Sequence, residues 1–309
     1  MNTVVVAGHP NTRQVKEAAV TEPKSYALEV PGAVLTYDVR EPSRPADHPP
    51  LFIFGSPMAA ADFAQLADHL DDRTVITYDP RGAERSRLAA GARVTTPIHA
   101  DDYHRVVAAV GLGPVDAFGS SGGAVNALAW VGTHPDDVRT LVAHEPPLTA
   151  LLPDRDIARR VQDDIVETYR RDGFGPAMAK FIQLVMYPTR LPDDYLERPA
   201  PDPGLFGLPT RDDGRRDDLL LGKNLATMPQ FTPDLDALRA SAVRIVPAVG
   251  ERGDGTLARR GGLALADALG VDPVVFPGDH SGFVSSRFFP CNDPAAFARS
   301  LREVLAGSR

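Results

Sequence analysis

The sequence predicts an α/β protein: a mostly parallel twisted sheet with helices on both faces and a helical insertion within it. Three observations carry this. Short apolar runs of strand length alternate with longer helix-like stretches. The alternation stops after Glu145 and resumes at Val243. Residues 114–123, Pro-Val-Asp-Ala-Phe-Gly-Ser-Ser-Gly-Gly, run a short apolar strand into a glycine-flanked serine, and a helix-like stretch follows at once.

Taken in order, residues 26–30 and 33–39 alternate apolar and polar side chains around Pro31-Gly32, which reads as an antiparallel hairpin at the sheet edge. A Pro-rich link at 41–50 leads to a buried-type strand at 51–54. A helix at 59–70, a strand at 74–78, a helix at 96–110 and a strand at 115–118 follow. The helix after the glycine-flanked serine spans 124–131 and the next strand 140–143. The interrupting stretch reads as helices at 156–171, 175–186 and 213–225 around a Pro-rich segment at 188–209. Strands at 243–249 and 273–276 then alternate with helices at 257–269 and 294–305. This gives an N-terminal arm at 1–24, a core from 25–149 and 236–309, and a helical cap at 150–235. The cap leaves the sheet at the edge where ligands of open α/β sheets bind. Its apolar residues Met178, Phe181 and Met186, with Met58 from the core, are candidate pocket walls.

Gly119-Ser120-Ser121-Gly122-Gly123 is G-x-S-x-G centred on Ser121; Phe118 excludes the frame centred on Ser120. Between a strand and a helix this pattern forms a sharp turn that holds the serine hydroxyl out of the sheet. A serine hydroxyl needs a base to take its proton and a third group to orient that base. Of eight histidines, His280 alone follows the last strand, in the glycine-flanked loop Pro277-Gly278-Asp279-His280-Ser281-Gly282. The acid has two candidates. Glu145 closes the strand after the elbow helix, pinned between apolar residues and Pro146-Pro147, a costly place for an unpartnered charge. Asp254 occupies the loop Gly250-Glu251-Arg252-Gly253-Asp254, with Glu251 the weaker option there. Oxyanion donors are expected from the N–H of Gly122, the residue after the nucleophile, and from the turn Gly55-Ser56-Pro57, with Ser56 favoured over Gly55. Asp79-Pro80-Arg81-Gly82 reads as a loop bracing the site from outside.

Composition bounds the rest. The chain has 309 residues, 43% hydrophobic and 24% charged, with a net charge of −8 and no basic block. That argues against nucleic acid or an anionic membrane as the main partner. Cys291 is the sole cysteine, so no internal disulfide or cysteine-based metal cluster forms. No apolar run reaches membrane-span length, and the N-terminus lacks the basic start of a signal peptide. A soluble, cytoplasmic protein without cofactor or metal is expected. Its oligomeric state stays open, with a homodimer among the options.

Together these motifs resemble the α/β-hydrolase fold family of serine hydrolases, from about Tyr26 to Leu305. Most members carry an Asp after the penultimate strand, where this chain has Asp254 one residue out of place. His144-Glu145-Pro146-Pro147 is similar instead to the acid position of zearalenone lactone hydrolases, and the elbow is similar to the lactonase Gly-x-Ser-Ser-Gly. Phe54 replaces the His that many members place before the oxyanion glycine. The resemblance implies a serine enzyme acting on a small-molecule carboxylic ester or lactone through an acyl-enzyme. A carbon–carbon bond hydrolase or perhydrolase on the same triad, or a ligand-binding protein that keeps the fold without turnover, are the rivals. A serine nucleophile disfavours dehalogenase or epoxide hydrolase chemistry, which needs a carboxylate.

Overall fold

The computed structural model describes residues 21–43, 48–287 and 289–307. Most of the expected N-terminal arm lies outside the described residues. Strand β1 (Lys24–Val30) pairs antiparallel with β2 (Ala33–Arg40) as the hairpin pattern requires. Strand β3 (Leu51–Phe54) is buried along its whole length. Its alternation serves two cores, because successive strand residues face opposite sides. Leu51 and Ile53 pack with Leu66, Phe276 and Phe297, whereas Phe52 and Phe54 pack with Tyr103, Trp130 and Val125. Four aromatic rings, Phe52, Phe54, Tyr103 and Trp130, meet edge-on or tilted at 4.2–6.1 Å in the second core.

The helix expected at 59–70 divides into a 3₁₀ turn (Ala60–Phe63) and a short α1 (Ala64–Asp68). Carboxylates tighten its start: Asp62 accepts the N–H of Ala59 and Asp79 that of Ala60. Strand β4 (Val75–Asp79) precedes a two-residue strand, β5 (Arg87–Leu88), too short to leave a pattern in the sequence. Helix α2 (Thr96–Val110), strand β6 (Val115–Ser120), helix α3 (Gly122–Thr133) and strand β7 (Val138–His144) complete the first half.

Between β7 and the next strand lie α4 (Arg155–Asp172), α5 (Phe174–Val185), a π-helical turn (Leu220–Asn224), α6 (Leu225–Thr227) and α7 (Leu235–Ala240). The helix expected at 213–225 does not form over its first half. Asp212 and Asp213 accept the N–H groups of Gly214 and Arg215, a local bonding that competes with helix. The chain resumes with β8 (Arg244–Gly250), α8 (Leu257–Leu269), β9 (Val274–Phe276) and α9 (Pro294–Leu305), the last capped by the Asp293 carboxylate on the N–H of Ala296. The insertion has its own apolar core, in which Ile157, Val161, Ile165 and Leu221 meet Leu257 of α8. Asp154 ties the two parts together by accepting from Leu191 N–H at 2.8 Å and pairing with Arg260 at 2.7 Å.

The sheet order is β1-β2-β4-β3-β6-β7-β8-β9, with β5 on β2; pairing is parallel from β4 through β9 and antiparallel around β2. No helix among the described residues is long and apolar enough to cross a membrane.

One charged pair is locked inside the fold. Arg81, after β4, reaches Asp102 on α2 through two bonds of 2.5 and 2.7 Å, and both side chains are almost fully buried. The Asp79-Arg81 loop is therefore interior, not an outer brace. Removing one partner strands the other charge. Asp102→Ala is expected to destabilise the protein by about 3–5 kcal/mol, read as a lower urea midpoint with an unchanged slope.

Candidate active site

Register delivers the functional residues to one sheet edge. Phe54 of β3 lies opposite Gly119 of β6, and Ser120 opposite His144 of β7. The residues that follow, Ser56, Ser121 and Glu145, therefore leave neighbouring strands together at their C-terminal ends. Ala248 of β8 lies opposite His144, and β8 pairs in turn with β9, whose loop carries His280.

Ser121 and Glu145 both adopt left-handed backbone, with φ of 56° and 45°. Such a conformation costs about 1–3 kcal/mol for a residue bearing a Cβ and persists only where the surroundings impose it. At Ser121 they do. Its N–H donates to His144 O at 2.9 Å while its carbonyl starts α3. A Cβ on Gly123 would come within 2.7 Å of Gly55 Cα, and one on Gly122 within 2.6 Å of the Ser56 carbonyl oxygen. Glycine at both positions lets the helix start touch the β3 loop backbone to backbone. Gly122 opens α3, so its N–H lacks an intrahelical acceptor and is available to an anion.

Glu145 is 1% exposed. Oε2 meets His280 Nδ1 at 2.7 Å, and Oε1 accepts the N–H of Gly250 at 2.9 Å. Burial pushes its pKa up, but the His280 bond, the neighbouring imidazoles and the Gly250 N–H outweigh it and hold the carboxyl below its ordinary value. With Nδ1 committed, Nε2 is the His280 nitrogen left for Ser121, and both residues line one cavity. A carboxylate, an imidazole and a hydroxyl in this arrangement can move a proton off the hydroxyl and steady the resulting imidazolium.

Asp254 is placed differently. Its exposed carboxylate pairs with Arg259 at 2.8 Å, on a loop whose Gly255 lies so close to Pro188 that any side chain there would strike the Pro188 carbonyl. Glu251 accepts the N–H of Gly278 at 3.1 Å and so braces the loop leading to His280. Asp279 turns toward Ser281 N–H and Asn292.

The cavity encloses about 630 Å³. Ser56, Met58, Phe181 and Met186 line it, as expected; Met178 does not, and packs against the insertion's own core. Ile182, Leu220, Leu225, Met228 and Phe289 complete a largely apolar wall, with Gln162, Asn224 and Thr256 as polar points. No Lys or Arg lines it among the described residues. Asn224 lies in the helix expected at 213–225 and Met228 just beyond it, and helical period alone does not mark either as facing the cavity. His144 is fully buried between Ser120 and the His280 ring, and only its last-strand position before Glu145 hinted at this.

His104, His134 and Asp137 cluster elsewhere, with potential ligand atoms within 4.8 Å of one another. The two rings stack almost parallel at 4.0 Å. In-plane lone pairs on parallel rings cannot converge on one ion, so this arrangement does not make a metal centre; His104 instead bonds Asp137, which also accepts from Trp130.

The fold and the site together define an α/β protein with a serine, a histidine and a buried carboxylate gathered at the strand ends. Comparison with known proteins agrees. The alpha/beta hydrolase fold model matches residues 51–217. The chain is 33% identical over 266 residues to YraK, an uncharacterized hydrolase of Bacillus subtilis (strain 168), covering 83% of this chain and 89% of that one. Solved structures similar in fold include a thermophilic esterase from Thermogutta terrifontis (TM-score 0.64, 19% identity, 93% of this chain and 99% of that one). The enol-lactonase from Burkholderia xenovorans LB400 is another (TM-score 0.62, 18% identity, 91% and 100%). This chain belongs to the α/β-hydrolase fold family and is a hydrolytic enzyme.

Burial holds two histidines, His99 and His144, down to a pKa of about 4. An unfolded histidine titrates near ~6.5. Between those values the unfolded chain binds protons that the folded chain refuses, so stability falls as pH falls from about 6.5 to 4. Glu145, its pKa depressed, adds a loss of the same sign in more acidic solution. The urea midpoint is expected to be lower at pH 5 than at pH 7.5, with His99 and His144 ring resonances unmoved between them. A midpoint that rises, or rings that titrate near pH 6.5, would contradict this.

Proposed function

We propose that the protein is a serine hydrolase that cleaves a neutral carboxylic ester or lactone through an acyl-enzyme. The observation that carries the reading is the 2.7 Å bond from His280 to a buried Glu145, beside a cavity that Ser121 also lines. Ser121 Oγ attacks the carbonyl carbon while His280 Nε2 takes its proton. Glu145 holds the imidazole in the required tautomer and steadies its charge. The N–H groups of Gly122 and Ser56 receive the developing oxyanion. His280 returns the proton to the leaving alcohol, then draws one from a water that releases the acid and restores Ser121. For a lactone, acid and alcohol leave as one hydroxy acid.

Charge and lining set the substrate class. Glu145 and Asp279 border the cavity and no Lys or Arg does among the described residues, so a substrate carrying its own carboxylate meets repulsion without compensation. The apolar wall favours a medium-sized, hydrophobic substrate. Residues 150–235 act as the cap over a core formed by 25–149 and 236–309. The acid placement is the one that the likeness to zearalenone lactone hydrolases implies.

Turnover of a neutral p-nitrophenyl ester tests the roles. Ser121→Ala is expected to abolish hydrolysis and labelling by a fluorophosphonate while leaving the melting temperature nearly unchanged. Glu145→Gln should lower kcat by about 10⁴-fold and Asp254→Asn by less than about twofold, as for a surface change. The reverse ranking would transfer the acid role to the loop after β8.

A further inference from the structure

Asn224 belongs to the insertion, yet it is 3% exposed and turned toward the β3 loop. Its Nδ2 donates to Ser56 Oγ at 3.0 Å, across 168 residues of sequence. Its Oδ1 is buried and accepts no bond of good geometry. The His99 imidazole is a second buried polar group, whose proton the Asn224 amide favours. His99 is itself 1% exposed, with neither ring nitrogen well paired. Burial first, and the nearby Arg81 second, keep that ring neutral, so one nitrogen carries a hydrogen and the other does not. One turn further along α2, Asp102 holds Arg81. The buried polar groups here are thus the Asp102–Arg81 pair, His99, and the Asn224–Ser56 pair. Each poorly paired buried group is costly, and apolar side chains would fill the same space without that cost. Polar groups gathered at such expense behind one loop point to a task at that loop.

We propose that Asn224 is a positioning residue for the oxyanion loop. This rests on the reading in which Ser56 N–H receives the oxyanion. The Asn224 Nδ2–Ser56 Oγ bond ties the insertion to the β3 loop. The hydroxyl so held fixes the rotation of residue 56, and with it the direction of the backbone N–H that must meet the developing charge. The loop's other side is fixed by its backbone contact with Gly122 and Gly123. Because Asn224 rides on the insertion, seating the insertion and completing the anion-binding pair become a single event.

A double-mutant cycle separates this from simple docking of the insertion. Asn224→Ala, Ser56→Ala and the double variant are compared for kcat, KM and melting temperature on a neutral p-nitrophenyl ester, with affinity for an alkyl boronic acid as a transition-state mimic. Each single variant is expected to lose roughly 10- to 100-fold in kcat and in boronate affinity, as misplacement of an oxyanion donor does, with KM within about twofold. The double variant should be no worse than the more impaired single. Asn224→Asp, of the same shape but without the donor, should repeat the loss and keeps the test open should the alanine variant fail to fold. Wild-type kcat in a folded Asn224 variant, additive losses, or a change confined to KM and melting temperature would overturn the proposal. Ser121→Ala run alongside distinguishes the levels: if that variant still turns over, the serine mechanism itself falls.

Discussion

The site depends on a contact between two stretches of backbone. The start of α3 and the loop after β3 approach so closely that Gly122 and Gly123 can bear no side chain, and Ser121 is forced into left-handed geometry at the top of the bend. In the proposed mechanism the N–H groups of residues 56 and 122 receive the oxyanion, and that contact fixes their two stretches of chain against each other before any substrate arrives. In that mechanism, dipoles fixed in advance need not reorganise as the oxyanion forms. The aromatic cluster around Phe54 and Trp130 supports the contact from below.

Electrostatics supply the second constraint. A carboxylate as buried as Glu145 is tolerated because both oxygens are engaged, one by an imidazole and one by a backbone amide from the neighbouring strand. Its left-handed backbone turns the side chain along the strand ends toward β9. Glu145 is therefore a second strained position at the same sheet edge. Of the three non-glycine residues with positive φ among the described residues, these two are groups that the proposed chemistry employs, while Glu84 lies in the loop after β4 and takes no part in it.

Much of this was legible in the residues. The elbow announces itself because glycine spacing, strand and helix must coincide, and His280 because it alone among the histidines follows a strand into a glycine-flanked loop. Glu145 is favoured by the cost of a charge between an apolar strand and two prolines, and the structure places it against His280 while Asp254 pairs with Arg259. Other features left weaker traces. Whether Met178 or Phe181 faces the cavity depends on how α5 is rolled against the core, which helical period alone does not fix. Asn224 is visible only once the chain between β7 and β8 folds back over the β3 loop, a contact between residues far apart in sequence. The failed helix at 213–225 shows local aspartate bonding overriding composition, and β5 is too brief to carry a period.

The bond between Glu145 and His280 spans 135 residues of chain. The acid is made early and the base late, and the apolar insertion that walls much of the cavity is translated between them. A nascent chain emerging from the ribosome can build the elbow and its helix long before it possesses an imidazole to arm the serine. On the proposed mechanism, hydrolytic activity therefore switches on only when the final strand docks, and recovered activity during refolding reports closure of the entire topology.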